Sequence, residues 1–102
     1  MVIKTTKWDV ADHLDSEESI AYYLEAAFED GDPALITIAL GDVARAKGMT
    51  QMAHDTGLAR EALYRALSAE GKPEFTTILK VLKALGLRLT PVPADDKMQG
   101  AA

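Results

Sequence analysis

The sequence predicts an all-α fold of five helices, and two observations support this prediction. Apolar residues recur at helical spacing along five segments of the chain. Glycine, proline or a short polar residue stands at most ends of these segments, where helices begin and stop. The predicted helices cover residues 16–28, 33–47, 51–56, 59–67 and 75–85. A chain of 102 residues has room for one domain with a single modest core.

Capping residues and apolar faces support the prediction of the first two helices. Asp15, with Glu18 three residues later, has the pattern of an N-cap and its reciprocal carboxylate. Asp32 and Pro33 open the second helix, because proline at the first helical position leaves no N–H unpaired. The predicted buried stripe of the second helix is Leu35, Ile36, Ala39, Leu40, Val43 and Ala46. The apolar face of the first helix holds Ile20, Leu24, Ala27 and Phe28. These four residues either complete the core or bind a partner.

Three shorter helices follow, again with local signals at their ends. Thr50 is predicted to cap the third helix and Gly57 to end it. Gly86 followed by Leu87 ends the fifth helix, in the pattern in which glycine takes the left-handed conformation. The apolar positions of this helix are Phe75, Ile78, Leu79, Leu82 and Leu85.

The charges are distributed unevenly along the chain. The net charge is −5, which alone is unusual for a protein that binds nucleic acid. Residues 1–44 hold ten acidic side chains and two basic ones, whereas residues 45–88 hold four acidic and eight basic ones. Such an asymmetry suggests two surfaces with two kinds of partner. The alternative is that solvated acidic helices precede a more neutral one.

The composition excludes several classes of protein. The chain has no cysteine, so it has neither disulfides nor a thiolate metal site. His13 and His54 are isolated, without the spacing of a zinc site or a partner for catalysis. No apolar run approaches the ~20 residues of a membrane span. We therefore expect a cytoplasmic protein that is not an enzyme and uses no metal or cofactor.

Residues 49–67 have the pattern of a helix-turn-helix motif. Two short helices cross closely only where the first presents a small residue, and Ala53 is placed for this role. The turn needs a residue that accepts positive φ, which Gly57 supplies. Leu58 and Leu63 can then anchor the turn and the second helix in the core. The alternative is an ordinary helical hairpin with no role in DNA binding.

The second helix of this motif is the predicted recognition helix. Its outward-facing residues are Ala59, Arg60, Glu61, Tyr64, Arg65 and Ser68, while Leu63, Ala66 and Leu67 face inward. Arginine can donate two hydrogen bonds to guanine, and glutamate can accept one from cytosine. The alternatives are a solvated surface for Arg60 and Glu61, and an ion pair with Glu61 for Arg65.

Three further residues are predicted to contact phosphate. Lys72, in the loop after the recognition helix, can position the protein without reading sequence. Thr50 and Gln51 lie at the N-terminus of the preceding helix, where backbone N–H groups favour anions.

The chain is predicted to form one domain over residues 1–92. An acidic extension, 1–32, precedes a DNA-binding core at 33–87. Residues 88–92 alternate like a short edge strand, and 93–102 have the composition of a disordered tail.

Six further segments of the sequence form a recognisable set: DGDP at 30–33, LGDVARAKGM at 40–49, QMA at 51–53, TGL at 56–58, EALYRALS at 61–68 and LKALGL at 82–87. In these segments the chain resembles HigA-like addiction-module antidote proteins, which carry an Xre/Cro-type (phage-repressor) helix-turn-helix. The likeness extends over residues 3–92, and the block around Tyr64 is its most specific part. Two positions depart from the phage-repressor pattern: Met49 replaces a phosphate-clamping glutamine, and Ala59 replaces a Ser or Thr N-cap.

The resemblance implies an antitoxin of a type II toxin–antitoxin system. Such a protein neutralises a small basic toxin of the RelE/ParE type and represses the shared operon by binding operator DNA. Because the chain holds a single motif and one recognition helix covers only a few base pairs, we expect it to bind DNA as a homodimer. The acidic segment then suggests Glu17, Glu18 and Glu25 as toxin-binding residues. Two alternatives are a transcriptional regulator with no toxin partner and a toxin-binding module without DNA affinity. The dimer could form through the C-terminal strand or the N-terminal helices.

Overall fold

A computed structural model describes residues 16–94. Within this range the fold is all-α, as the sequence predicts. The five helices are α1 (Glu17–Asp30), α2 (Pro33–Lys47), α3 (Met49–Thr56), α4 (Arg60–Ala66) and α5 (Phe75–Ala84). Asp15 and the tail beyond residue 94 lie outside the described residues. The predicted strand over 88–92 is not confirmed, because no strand occurs within 16–94. Pro91 and Pro93 offer no N–H to a β-ladder there.

Local hydrogen bonds set the beginnings of the first two helices. Ser16 caps α1 in a reciprocal box, in which the Ser19 N–H donates to Ser16 Oγ and the Ser16 N–H donates to Ser19 Oγ. The prediction that Glu18 supplies the reciprocal side chain is therefore wrong. Asp32 caps α2 by accepting from the Ala34 N–H at 3.0 Å, with Pro33 at the first helical position. That prediction is confirmed.

The other three helices have no side-chain cap. Thr50 lies inside α3, whose N-cap is Gly48, so its predicted role as a cap is wrong. Ala59 has the extended backbone of an N-cap, but its methyl group cannot accept a hydrogen bond.

All five helices contribute to one hydrophobic core. The buried apolar residues are Ile20, Leu24, Ala27, Ala39, Leu40, Val43, Ala44, Met49, Met52, Leu63, Leu67, Val81, Leu82 and Leu85. Ile20 and Leu24 therefore complete the core, and Phe28 packs against it half-buried. Helix α1 therefore packs its apolar face on the core and exposes its acidic face to solvent.

Three apolar residues predicted to be buried are exposed instead. Leu35 on α2 and Phe75 and Leu79 on α5 lie at the edges of their helical stripes. The core-facing side of α2 is completed by Thr37, whose hydroxyl donates to the Pro33 carbonyl at 2.9 Å. A backbone acceptor one turn earlier lets this polar side chain be buried without an unpaired hydroxyl.

One polar contact joins α1 to α2. The Tyr23 hydroxyl donates to Asp42 Oδ2 at 2.7 Å, and Asp42 Oδ1 accepts from the Arg45 guanidinium at 2.8 Å. Burial, together with the hydrogen bond to the Asp42 carboxylate, raises the pKa of Tyr23 to about 12. The protonated phenol is thus the form that the folded state favours.

Replacing Tyr23 with phenylalanine should remove this link and its pH dependence. We expect the free energy of unfolding to fall by about 1 kcal/mol near neutral pH. Because the pKa is raised in the folded state, the contribution is complete below the ordinary value of 10.0 and is lost as the pH rises toward about 12. Urea unfolding across that range measures the effect, with exposed Tyr22→Phe as the control. A Tyr23→Phe variant that keeps the native pH dependence would contradict the assignment.

Replacing Ala59 with serine should supply the missing cap of α4. The residue already has the required extended backbone, with φ −66° and ψ 142°. We expect the free energy of unfolding to rise by roughly 0.5–1 kcal/mol. Ala69→Ser adds the same hydroxyl outside any helix, and its effect should stay within about 0.5 kcal/mol of zero. Equal effects of the two substitutions would show that α4 gains nothing from a cap.

Candidate nucleic-acid interface

Three residues, 57–59, connect α3 to α4 in a tight turn. Gly57 takes the left-handed conformation, with φ 77°, and its N–H donates to the Ala53 carbonyl at 2.9 Å. Thr56 fixes the turn from both sides: its hydroxyl donates to the Met52 carbonyl at 2.7 Å and accepts from the Leu58 N–H at 3.2 Å. Sequence reasoning predicted Gly57 but missed Thr56. A threonine directly before the terminating glycine is the signal that could have revealed it.

Buried leucines hold α4 against the rest of the protein. Leu63 and Leu67 are fully buried, as predicted, and Leu58 packs half-buried against the core. Ala66, also predicted to face inward, is half-buried. Gly41 of α2 lies so close to the Leu67 carbonyl oxygen that a Cβ atom on residue 41 would overlap it. The orientation of α4 is therefore fixed by packing on both its inner side and its C-terminal end.

The opposite side of α4 is open to solvent. Ala59, Arg60, Glu61, Tyr64 and Arg65 are all exposed there, as the helical spacing predicts. The Arg60 guanidinium lies 5.7 Å from the centre of the Tyr64 ring, which is cation–π geometry. Among residues 16–94, Arg65 has no ion pair, so the alternative of an Arg65–Glu61 bridge is not observed. Its guanidinium has all its donors available.

Ser68 differs from the other predicted DNA-binding residues. It is half-buried, and its hydroxyl donates to the Arg65 carbonyl at 2.9 Å. This bond occupies the hydroxyl at the C-terminal end of α4, where helix carbonyls lack partners. The Ser68 hydroxyl thus stabilises the C-terminal end of α4.

The three predicted phosphate contacts lie at two places, the start of α3 and the loop after α4. Thr50 and Lys72 are exposed, the latter in the loop between α4 and α5. The Gln51 amide is exposed too, but it donates to Asp55 Oδ1 at 2.9 Å. His54 Nδ1 lies 3.3 Å from the same oxygen, and hydrogen bonds from His54 and Gln51 lower the pKa of Asp55. Gln51 can reach a phosphate only after releasing Asp55.

The acidic residues predicted to bind a toxin lie on a different helix. Glu18 and Glu25 are exposed on α1, which carries five acidic side chains and no basic one. Glu17 is exposed on the same helix, with its carboxylate beside Gly86 at the end of α5.

Other chemistry finds no support in the described part of the chain. His54 is exposed, and His13 lies outside the described residues. Over residues 16–94 no group of three or more His, Asp or Glu side chains is placed to hold a metal ion. In that same stretch no helix has the length and apolar character needed to cross a membrane.

Comparisons with known proteins identify the family of this chain. A family model described as "Probable addiction module antidote protein" matches residues 4–93. A Haemophilus influenzae protein described as an uncharacterized protein is 52% identical over 81 residues, which are 79% of this chain and 84% of the relative. No solved structure matches the chain significantly. Because the family model covers nearly the whole sequence, the chain belongs to the addiction module antidote family.

Proposed function

We propose that this protein is the antitoxin of a type II toxin–antitoxin system, one that also represses its own operon by binding DNA. Membership of the antidote family implies a toxin as partner. The observation that carries the DNA-binding half is the α4 surface, where exposed Arg60, Glu61 and Arg65 are backed by buried Leu63 and Leu67. A short helix with one anchored side and one polar side is what recognition in the major groove requires.

In this proposal the exposed residues divide into two roles. Arg65 reads a base, because its guanidinium is exposed and unpaired within residues 16–94. Lys72 and Thr50 contact phosphate, as does Gln51 once it releases Asp55, so they position the protein without specifying sequence. Arg60 and Tyr64 act together as a stacked pair, with Tyr64 along the DNA backbone. The fold is then of the Xre/Cro type, as in HigA-like antitoxins.

One recognition helix covers only a few base pairs, so we propose that the DNA-binding form is a homodimer. Dimers of helix-turn-helix proteins place their recognition helices in two half-sites about one helical turn apart. The described chain contains a single such motif, which is consistent with two copies acting together.

The toxin half of the proposal rests on the acidic helix. A basic RelE/ParE-type toxin in the cytoplasm would meet α1, where Glu17, Glu18 and Glu25 contribute to the negative field. Complementary charge mainly raises the rate and specificity of association. The family match disfavours a regulator with no toxin partner. A toxin-binding module without DNA affinity remains the second candidate, because α4 lacks a side-chain cap and the net charge is −5.

Substitutions at Arg65 and Lys72 test the DNA-binding half. The probe is the DNA fragment upstream of this protein's own gene, with single-base variants. Arg65→Ala should cost about 1–3 kcal/mol of binding free energy and relax the preference at one base position. Lys72→Ala should weaken all sequences alike and reduce the salt slope by about 1. Arg88→Ala, which removes a cation beyond α5, is the matched control and should change neither.

Two outcomes would contradict parts of the proposal. If Arg65→Ala and Lys72→Ala both change only the salt slope, Arg65 does not read a base. If the native protein binds its upstream DNA no better than unrelated DNA, while still binding its toxin, the module without DNA affinity is the correct reading.

A further inference from the structure

A groove with apolar walls runs between α1 and the segment that follows α5. Its volume is about 470 Å³, and its floor is formed by the core residues Leu24 and Leu82. Phe28, Leu89 and Val92 line its sides. Leu89 is 40% exposed and Val92 76% exposed. The groove therefore leaves apolar surface in contact with water beside an otherwise charged helix.

The two walls of the groove differ in charge. Glu25 and Glu29 line the α1 wall, whereas Arg88 lies among the residues of the other wall. Helical spacing places Glu18 and Tyr22 on the same stripe of α1 as these two carboxylates. Because α1 has no basic residue, nothing on this helix neutralises the stripe.

Tyr22 lies in this stripe between the carboxylates of Glu18 and Glu25. Its side chain is 78% exposed, more than any other large hydrophobic residue in the described range. An exposed tyrosine flanked by carboxylates is suited to an arginine or lysine side chain, whose cation can stack on the ring and pair with a carboxylate. Tyr22 is neither a core residue nor one of the residues that pack against the core.

We propose that this groove and the adjoining stripe, Glu18, Tyr22, Glu25 and Glu29, form the toxin-docking surface. The inference rests on the proposed function, because it takes the toxin as the partner. The occupant is a toxin segment with apolar side chains that enter the groove and Lys or Arg side chains that face the α1 wall. Charge complementarity favours this occupant over a second copy, because a two-fold contact centred here would oppose two acidic helices.

The proposal selects among the acidic residues by position. Glu25 and Glu29 lie at the groove, whereas Glu17 contacts Gly86 and lies outside the stripe. Arg88 has the opposite expected effect from the carboxylates, since a cation on the far wall repels a basic segment. Because the expected effects differ among Glu17, Glu25, Glu29 and Arg88, substitutions at these residues distinguish this surface from a general effect of net charge.

The test measures binding of the full-length chain to the protein encoded by the adjacent gene, which is recovered from the denatured complex and refolded. Tyr22→Ala and the double reversal Glu25→Lys/Glu29→Lys should each weaken the Kd by about tenfold or more. Arg88→Glu should tighten it by about two- to fivefold. Glu17→Gln removes a charge that adds to the field but lies outside the stripe, so it should change the Kd by no more than about twofold. Glu70→Lys/Glu74→Lys, an equal charge change in the loop before α5, is the matched control and should leave the Kd unchanged.

Measurements of folding, DNA binding, toxin binding and oligomeric state distinguish the possible outcomes. Circular dichroism and binding to the upstream DNA check that each variant remains folded, since every substituted side chain is exposed. A native chain that does not bind the adjacent gene's product overturns the proposed function together with this inference. Native binding with unchanged affinity in Tyr22→Ala and the double reversal overturns the docking surface alone. Conversion of a dimer to monomers by these variants, without toxin, would assign the groove to self-association and overturn the inference.

Discussion

The burial of Leu63 and Leu67 is the constraint on which the candidate interface depends. Helix α4 has only seven residues and no side-chain cap at its start. Isolated helices shorter than about 12–15 residues are marginal in water, so α4 is held by tertiary packing. The two leucines fix its inner side in the core, while Gly41 allows α2 to approach the Leu67 carbonyl oxygen. The exposed residues of α4 are positioned by contacts that they do not make themselves.

The sequence predicted those features of the fold that depend on a few neighbouring residues. Gly57 and the pair Asp32-Pro33 were predicted correctly, because a left-handed turn and an N-cap with a first-turn proline each need particular residues. The exposed and buried sides of α4 followed from helical spacing alone. By contrast, Ser16 and Ser19 close the capping box that Asp15 and Glu18 were expected to form, since adjacent residues offered two compatible patterns.

Burial at the edges of a helical stripe could not be predicted in the same way. Leu35 and Phe75 satisfy the apolar spacing of their helices but are exposed, because no neighbouring element within residues 16–94 covers them. Thr37 can be buried because its hydroxyl donates a hydrogen bond to the Pro33 carbonyl, which no hydrophobicity pattern indicates. The Tyr23–Asp42 bond joins residues 19 positions apart, and the side of each helix that meets the other is set only by the packed core. The alternation of apolar and polar residues at 88–92 is typical of a strand, but a strand also needs a neighbouring strand to pair with.

The segregation of charge gives the two proposed surfaces physical independence. Between residues 16 and 44 there are seven acidic side chains and no basic one, whereas 45–88 carry the basic excess. Ile20 and Leu24 bring α1 to the same core that Leu63 and Leu67 enter from α4. Helix α1 packs mainly on α2, whereas α4 packs mainly on α3. Exposed charges that lie more than a Debye length apart, about 8 Å at physiological salt, are largely screened from each other. An acidic α1 therefore need not oppose DNA at α4, and a net charge of −5 is compatible with a nucleic-acid interface on one side of the protein.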